Sequence, residues 1–106
     1  MIDKLKILQE LKKHLRKHYS TSVKDVILFG SQSIGKGKAD SDFDILVVLT
    51  KPYSKKDEEK ILDICYEIDL KYNILIDIHL LSQNELNTLR GKQPIYLNAL
   101  SKGIYA

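Results

Sequence analysis

An α/β (α+β) domain, in which short apolar strands alternate with amphipathic helices, is the fold class this sequence predicts. Two observations lead there. The runs at 26–29, 43–49 and 75–81 are short, rich in Val, Ile, Leu and Phe, and bounded by turn residues, as strands are. Residues 2–19 and 54–72 instead carry apolar side chains every three or four positions, the spacing of a helix with one buried face. With 106 residues, the chain fits a single domain, 1–106, large enough for one core.

The first helix, 2–19, has Ile2, Leu5, Leu8, Leu11 and Leu15 on its apolar stripe and Lys12, Lys13, Arg16 and Lys17 on a basic face. A solvated surface explains that face better than contact with RNA or a membrane. His14 and His18 stand four apart, but no third ligand lies nearby, so they read as surface histidines rather than a zinc site. The Ser20-Thr21-Ser22 turn leads to the first strand, 26–29, and an exposed loop, 36–40, leads to the second, Phe43–Leu49. That second strand is apolar almost throughout, as a strand covered on both faces must be.

Lys51-Pro52-Tyr53 breaks the strand, and Ser54 caps a second helix running to Tyr72, with Asp57, Glu58 and Glu59 favouring its N-terminal dipole. Cys65 lies among Ile61, Leu62, Ile64 and Ile68 and reads as a core residue; as the single cysteine it excludes an internal disulfide. Asn73 ends the helix. The third strand, 75–81, alternates Leu75, Asp77 and His79 on one face with Ile76, Ile78 and Leu80 on the other. Ser82 and Glu85, in capping-box spacing, open a short helix over 82–89. Arg90-Gly91-Lys92 is a break, after which Pro94 begins a helix through Lys102, Gly103 stops it, and Ile104-Tyr105 reads as a closing strand.

Chemistry concentrates between Val26 and Leu49, in VILFGSQSIGKGKADSDFDILVVL. Gly30 lets a phosphate approach the main chain, and Ser31 suits the N-cap of a short helix whose free N–H groups would face an anion. Asp42 and Asp44, two apart at the mouth of a strand, send both carboxylates from one face and can share a divalent cation such as Mg²⁺. Asp77 is a carboxylate in an otherwise apolar strand. Such a charge is costly unless it meets a metal, or unless the strand is an exposed edge. His79 is either a neighbour of the metal site or, as the stronger reading, a structural histidine.

Composition narrows the class. Apolar residues make up 43% and charged residues 29% of the chain, with two prolines, which describes a globular protein and not a disordered one. No apolar run approaches ~20 residues, so no membrane span is expected and the expected location is cytoplasmic. A net charge of +3 is well short of a nucleic-acid footprint.

Taken together, strand, Gly30-Ser31, Gly35, Ser41-Asp42-x-Asp44 and strand resemble the DNA polymerase β-like nucleotidyltransferases, and above all their smallest members, the minimal nucleotidyltransferases. Ser33 stands where that family usually has alanine, and Ile34 where it has arginine, although Lys36 and Lys38 lie nearby. The resemblance implies a small mixed β-sheet with flanking helices. It also implies nucleotide contacts from Gly30, Ser31, Gly35, Lys36 and Ser41, and a catalytic and metal-binding set of Asp42, Asp44 and Asp77. The implied reaction is metal-dependent transfer of a nucleoside monophosphate, AMP from ATP, to a hydroxyl, with Mg²⁺, as two ions, as cofactor. Minimal nucleotidyltransferases commonly pair with a helical HEPN-type protein as antitoxin and toxin, so such a partner is implied too. The arginine missing at position 34 keeps a second reading open, a noncatalytic module that neutralises its partner by contact alone.

Overall fold

The protein is described here from a computed structural model, which describes residues 3–30, 42–88 and 92–106. The first helix, α1 (Lys4–Tyr19), is capped by Asp3, whose carboxylate accepts from the Lys6 N–H at 3.1 Å, and it buries Ile7, Leu8, Leu11 and Leu15. Leu5 belongs to the expected stripe but is 44% exposed; Ile7, one turn before Leu11, takes the inner position. Two of the basic residues expected to face solvent serve the fold instead. Arg16 donates to the Val23 carbonyl at 3.2 Å and Lys12 to the Ala106 carbonyl at 3.0 Å.

Strand β1 (Val23–Phe29) begins three residues before the apolar run suggests, because Val23 and Asp25 pair with its neighbour across an irregularity in register. It runs antiparallel to β2 (Phe43–Leu49), which runs parallel to β3 (Ile76–Ser82). A parallel pair needs a long crossover, and α2 (Lys55–Tyr72) supplies it. Its first turn carries a capping box between Ser54 and Asp57, and Asn73 ends it in the left-handed conformation at φ +53°. Ile61, Ile64, Cys65 and Ile68 are buried, whereas Leu62, expected beside Cys65, faces out. Burial, and then the charge of Asp69, push the Cys65 thiol up to about 12, as suits a core side chain.

After β3 the capping box of Ser82 and Glu85 opens a 3₁₀ turn, Gln83–Asn87, where a short helix over 82–89 was expected. The last helix, α3 (Pro94–Lys102), leads through Gly103 to β4 (Ile104–Tyr105), which pairs antiparallel with β1. A side chain at Gly103 would run into Ile27 and the Ala99 carbonyl, so the chain can turn this tightly onto the sheet only without one.

The sheet is mixed, in the order β3-β2-β1-β4. Helices α1 and α2 cover one face, where Phe43, Ile45, Val47 and Leu49 meet Leu8, Leu11, Leu15, Ile61 and Ile68. Between these helices Glu10 accepts hydrogen bonds from Lys71 and Tyr72. On the opposite face Ile27, Phe29, Leu46, Val48 and Leu81 pack under Tyr96 and Ala99 of α3. That smaller layer leaves one end of the sheet free for polar side chains. No helix among the described residues is long and apolar enough to cross a membrane.

Candidate active site

The register of the sheet builds the site. Phe29, Asp44 and Asp77 are partners across β1, β2 and β3, and side chains directly opposite share a face. Both aspartates therefore stand side by side on the face that α3 covers only in part. One step further along, Leu46 is opposite His79, which returns to the same face two residues after Asp77.

Gly30 closes the edge of this row. It sits at φ +77°, where a side chain is strained, and a Cβ built on it would collide with the carboxylate of Asp44. The main chain after β1 thus passes against the acid, as expected of a turn that must bring backbone close to a ligand.

Exposure sets the two acids apart. Burial raises the Asp44 carboxyl above its usual range, the negative charge of Asp77 raises it further, His79 opposes the shift, and Asp42 adds to it. Asp77 is different: its side chain is 54% exposed, and β3 is an edge strand. The expectation that Asp77 bears a burial cost is therefore corrected. The edge-strand alternative describes its position, and the burial falls on Asp44.

His79 completes the cluster. Its ring lies 5.4 Å from that of Phe29 and, edge-on, 6.4 Å from that of Tyr96. Its Nε2 is 3.5 Å from Asp77 Oδ2, is shut off from solvent, and has no hydrogen-bond partner among the described residues. Ligand atoms of Asp44, Asp77 and His79 all lie within 4.8 Å of one another, a spacing a metal ion can bridge. The ring is packed as a structural histidine would be, yet its nitrogen faces the acids. Only the x-Asp-x-His-x alternation of β3 signals this in sequence.

Asp42 is exposed just ahead of β2 and is not one of that trio, although its charge reaches Asp44. Gly30 lies against Asp44 at the end of β1. Ser31, Gly35, Lys36 and Ser41 lie outside the described residues.

Known proteins resemble this chain in sequence and in fold. The family described as nucleotidyltransferase domain matches residues 8–105. Two proteins of Methanocaldococcus jannaschii, each provisionally named a protein adenylyltransferase, are similar in sequence. One is 39% identical over 71 residues, covering 63% of this chain and 72% of that protein. The other is 30% identical over 98 residues, covering 92% of each. Among solved structures, spectinomycin adenyltransferase from Enterococcus faecialis, with ATP and spectinomycin, superposes with a TM-score of 0.66 at 25% identity; the match covers 81% of this chain but 37% of that one. A variant of the MntA–HpeT toxin–antitoxin pair shares the fold at a TM-score of 0.60 and 16% identity, covering 98% of this chain and 72% of that one.

Proposed function

The chain belongs to the nucleotidyltransferase domain family, and on that premise we propose that it transfers AMP from ATP to a hydroxyl of a toxin-like protein partner in the cytoplasm. The observation that carries this reading is the pairing of Asp44 with Asp77 beside a glycine at positive φ. The names of the two archaeal relatives support a protein acceptor, the ATP of the spectinomycin enzyme supports the donor, and the MntA–HpeT pair supports a toxin partner, for which a HEPN-type helical protein is the expected form.

The donor set fits a divalent cation. Two carboxylates and an imidazole nitrogen converge, the nitrogen is buried without a partner among the described residues, and Asp44 is raised by burial and by the charge of Asp77. Asp44 and Asp77, with Asp42 reaching in from the step before β2, would hold Mg²⁺, as two ions in the full reading. A bound cation supplies positive charge against the triphosphate and the departing pyrophosphate.

The chain's own residues do the rest. Gly30 admits the triphosphate against the main chain, and Ser31, Gly35, Lys36 and Ser41 are assigned the remaining phosphate contacts. Asp77, exposed on an edge strand, is open to a hydroxyl arriving on another protein. The hydroxyl oxygen bonds to the α-phosphorus as the bond to the bridging oxygen breaks; pyrophosphate leaves, and the hydroxyl proton passes to Asp77.

The test is incubation of the purified chain with labelled ATP, Mg²⁺ and its protein partner. Label should reach the partner only with the cation present, and Asp44→Asn or Asp77→Asn should abolish it. If both variants still neutralise the partner fully, contact and not chemistry is the mechanism.

A further inference from the structure

We propose that Nε2 of His79 is a direct ligand of the cation held by Asp44 and Asp77, and that this nitrogen gives the site a preference for Mn²⁺ over Mg²⁺. The inference rests on the reading that a cation binds there, and deepens it by naming a nitrogen donor and the ion it favours.

Three observations carry it. The first is position: alternation along β3 brings His79 to the face and side of Asp77, a ring nitrogen of it falls within 4.8 Å of a ligand atom of each aspartate, and Nε2 itself is 3.5 Å from Asp77 Oδ2. The second is an unmet need. Nε2 has neither solvent nor a hydrogen-bond partner among the described residues, and Asp77 Oδ2, at 3.5 Å, is beyond a well-formed bond. A buried polar atom in that state costs free energy that a leucine filling the same space would avoid. The third is orientation, since Phe29 and Tyr96 flank the ring and hold it with this nitrogen toward the acids.

The charge balance favours a neutral donor here. A further carboxylate beside Asp42, Asp44 and Asp77 would deepen the repulsion that already raises the Asp44 carboxyl, whereas neutral imidazole adds a lone pair without adding charge. The donor type then selects the ion. Mg²⁺ takes oxygen ligands and sheds water reluctantly, while imidazole nitrogen suits first-row transition ions, of which Mn²⁺ also accepts carboxylates.

Mn²⁺ is its own probe. Pulsed electron paramagnetic resonance of Mn²⁺ bound to the full chain should show ¹⁴N modulation from a coordinated imidazole, converting to the ¹⁵N pattern when the protein is grown on ¹⁵N-histidine. The signal should persist in a His14→Ala, His18→Ala double variant and vanish in His79→Asn. In the same variant Mn²⁺ affinity should fall ~10-fold or more while Mg²⁺ affinity changes less than twofold. Bound Mn²⁺ without nitrogen modulation, or no Mn²⁺ binding at all, overturns the proposal, and the isotope comparison needs no variant to fold. The two readings fail separately. Transfer of AMP without the nitrogen signal sinks the ligand assignment alone, and a nitrogen signal without transfer sinks the reaction alone.

Discussion

Asp44 is held under two opposing demands. Its carboxylate is wanted where a cation can sit, yet partial burial and the charge of Asp77 make its ionised form unwelcome in the metal-free fold. A carboxyl raised in the folded state destabilises wherever it is charged: its contribution worsens as pH climbs through the usual carboxylate range to the raised value, and stays unfavourable at neutral pH. Asp44→Asn should therefore abolish transfer and, in chelator-containing buffer at pH 7, stabilise the chain by about 0.5–1 kcal/mol, a few degrees in Tm. A melting curve lowered by the substitution would contradict this account. Gly30 makes the opposite case. Gly30→Ala meets both a positive φ and the Asp44 carboxylate, so about 1–2 kcal/mol of stability should be lost. Because the colliding oxygen ends a short side chain, Asp44 would swing aside, and transfer should drop further than the thermal melt explains. Equal losses in the two measurements would mean that the glycine serves the fold only. Both aspartates and this glycine are legible in the sequence as residue types in a pattern. The exposure of Asp77 is not, because whether a strand lies at a sheet's edge depends on what other segments do.

Helix α2 shows what an element's own letters can and cannot say. Its cap, its acidic first turn and its end at Asn73 were all readable, since each is a local arrangement of neighbouring residues. The same holds for the end of α3, where Gly103 and the short β4 follow as expected. Misjudged edges had tertiary causes. Strand β1 extends back to Val23 because β2 pairs with it there, and the segment after β3 tightens into a 3₁₀ turn although its capping box reads as a helix start. The α2 cap yields a pH test. Asp57 Oδ2 accepts from the Ser54 N–H at 2.9 Å and from the Ser54 hydroxyl at 3.1 Å. The Ser54 main-chain bond holds its carboxyl below the usual range, against a smaller opposing effect of burial, with further help from the Ser54 and Tyr19 hydroxyls. A depressed carboxyl contributes stability that is fully present above its unfolded-state pKa and is lost as pH falls through the folded value. Asp57→Ala should thus melt earlier than the parent at pH 7, and the gap should close as the pH is taken below the carboxylate range. A gap that stays constant down to that acidity would remove the charge from the explanation.

At the scale of the whole molecule the sheet is unequally clothed, and that asymmetry ties stability to function. Strand order could not be read from the chain alone, since β1 pairs with two neighbours far apart in sequence, and only resemblance to known nucleotidyltransferases implied a mixed sheet. What the order produces is a β2 whose inward residues are buried against α1 and α2 on one side, while α3 meets the other side through Tyr96 and Ala99 and β4 contributes two exposed residues. Cooperative stability should therefore reside in β1, β2, α1 and α2, where most of the apolar burial lies. The α3–β4 unit, beside the acidic row, should open on its own. Native-state hydrogen exchange measures this. Amides of Ile45 to Val48 should exchange only through global unfolding, with the full denaturant dependence, whereas those of Leu97 to Ser101 should exchange through a smaller opening with a shallower dependence. Such an opening would uncover Phe29 and His79 without disturbing the Asp44–Asp77 pair, because the aspartates are held by β2 and β3 and not by α3. Equal protection of α3 and β2 would instead make the layer over the site part of the core, and a partner's hydroxyl would then have to reach Asp77 past the outer edge of β3 alone.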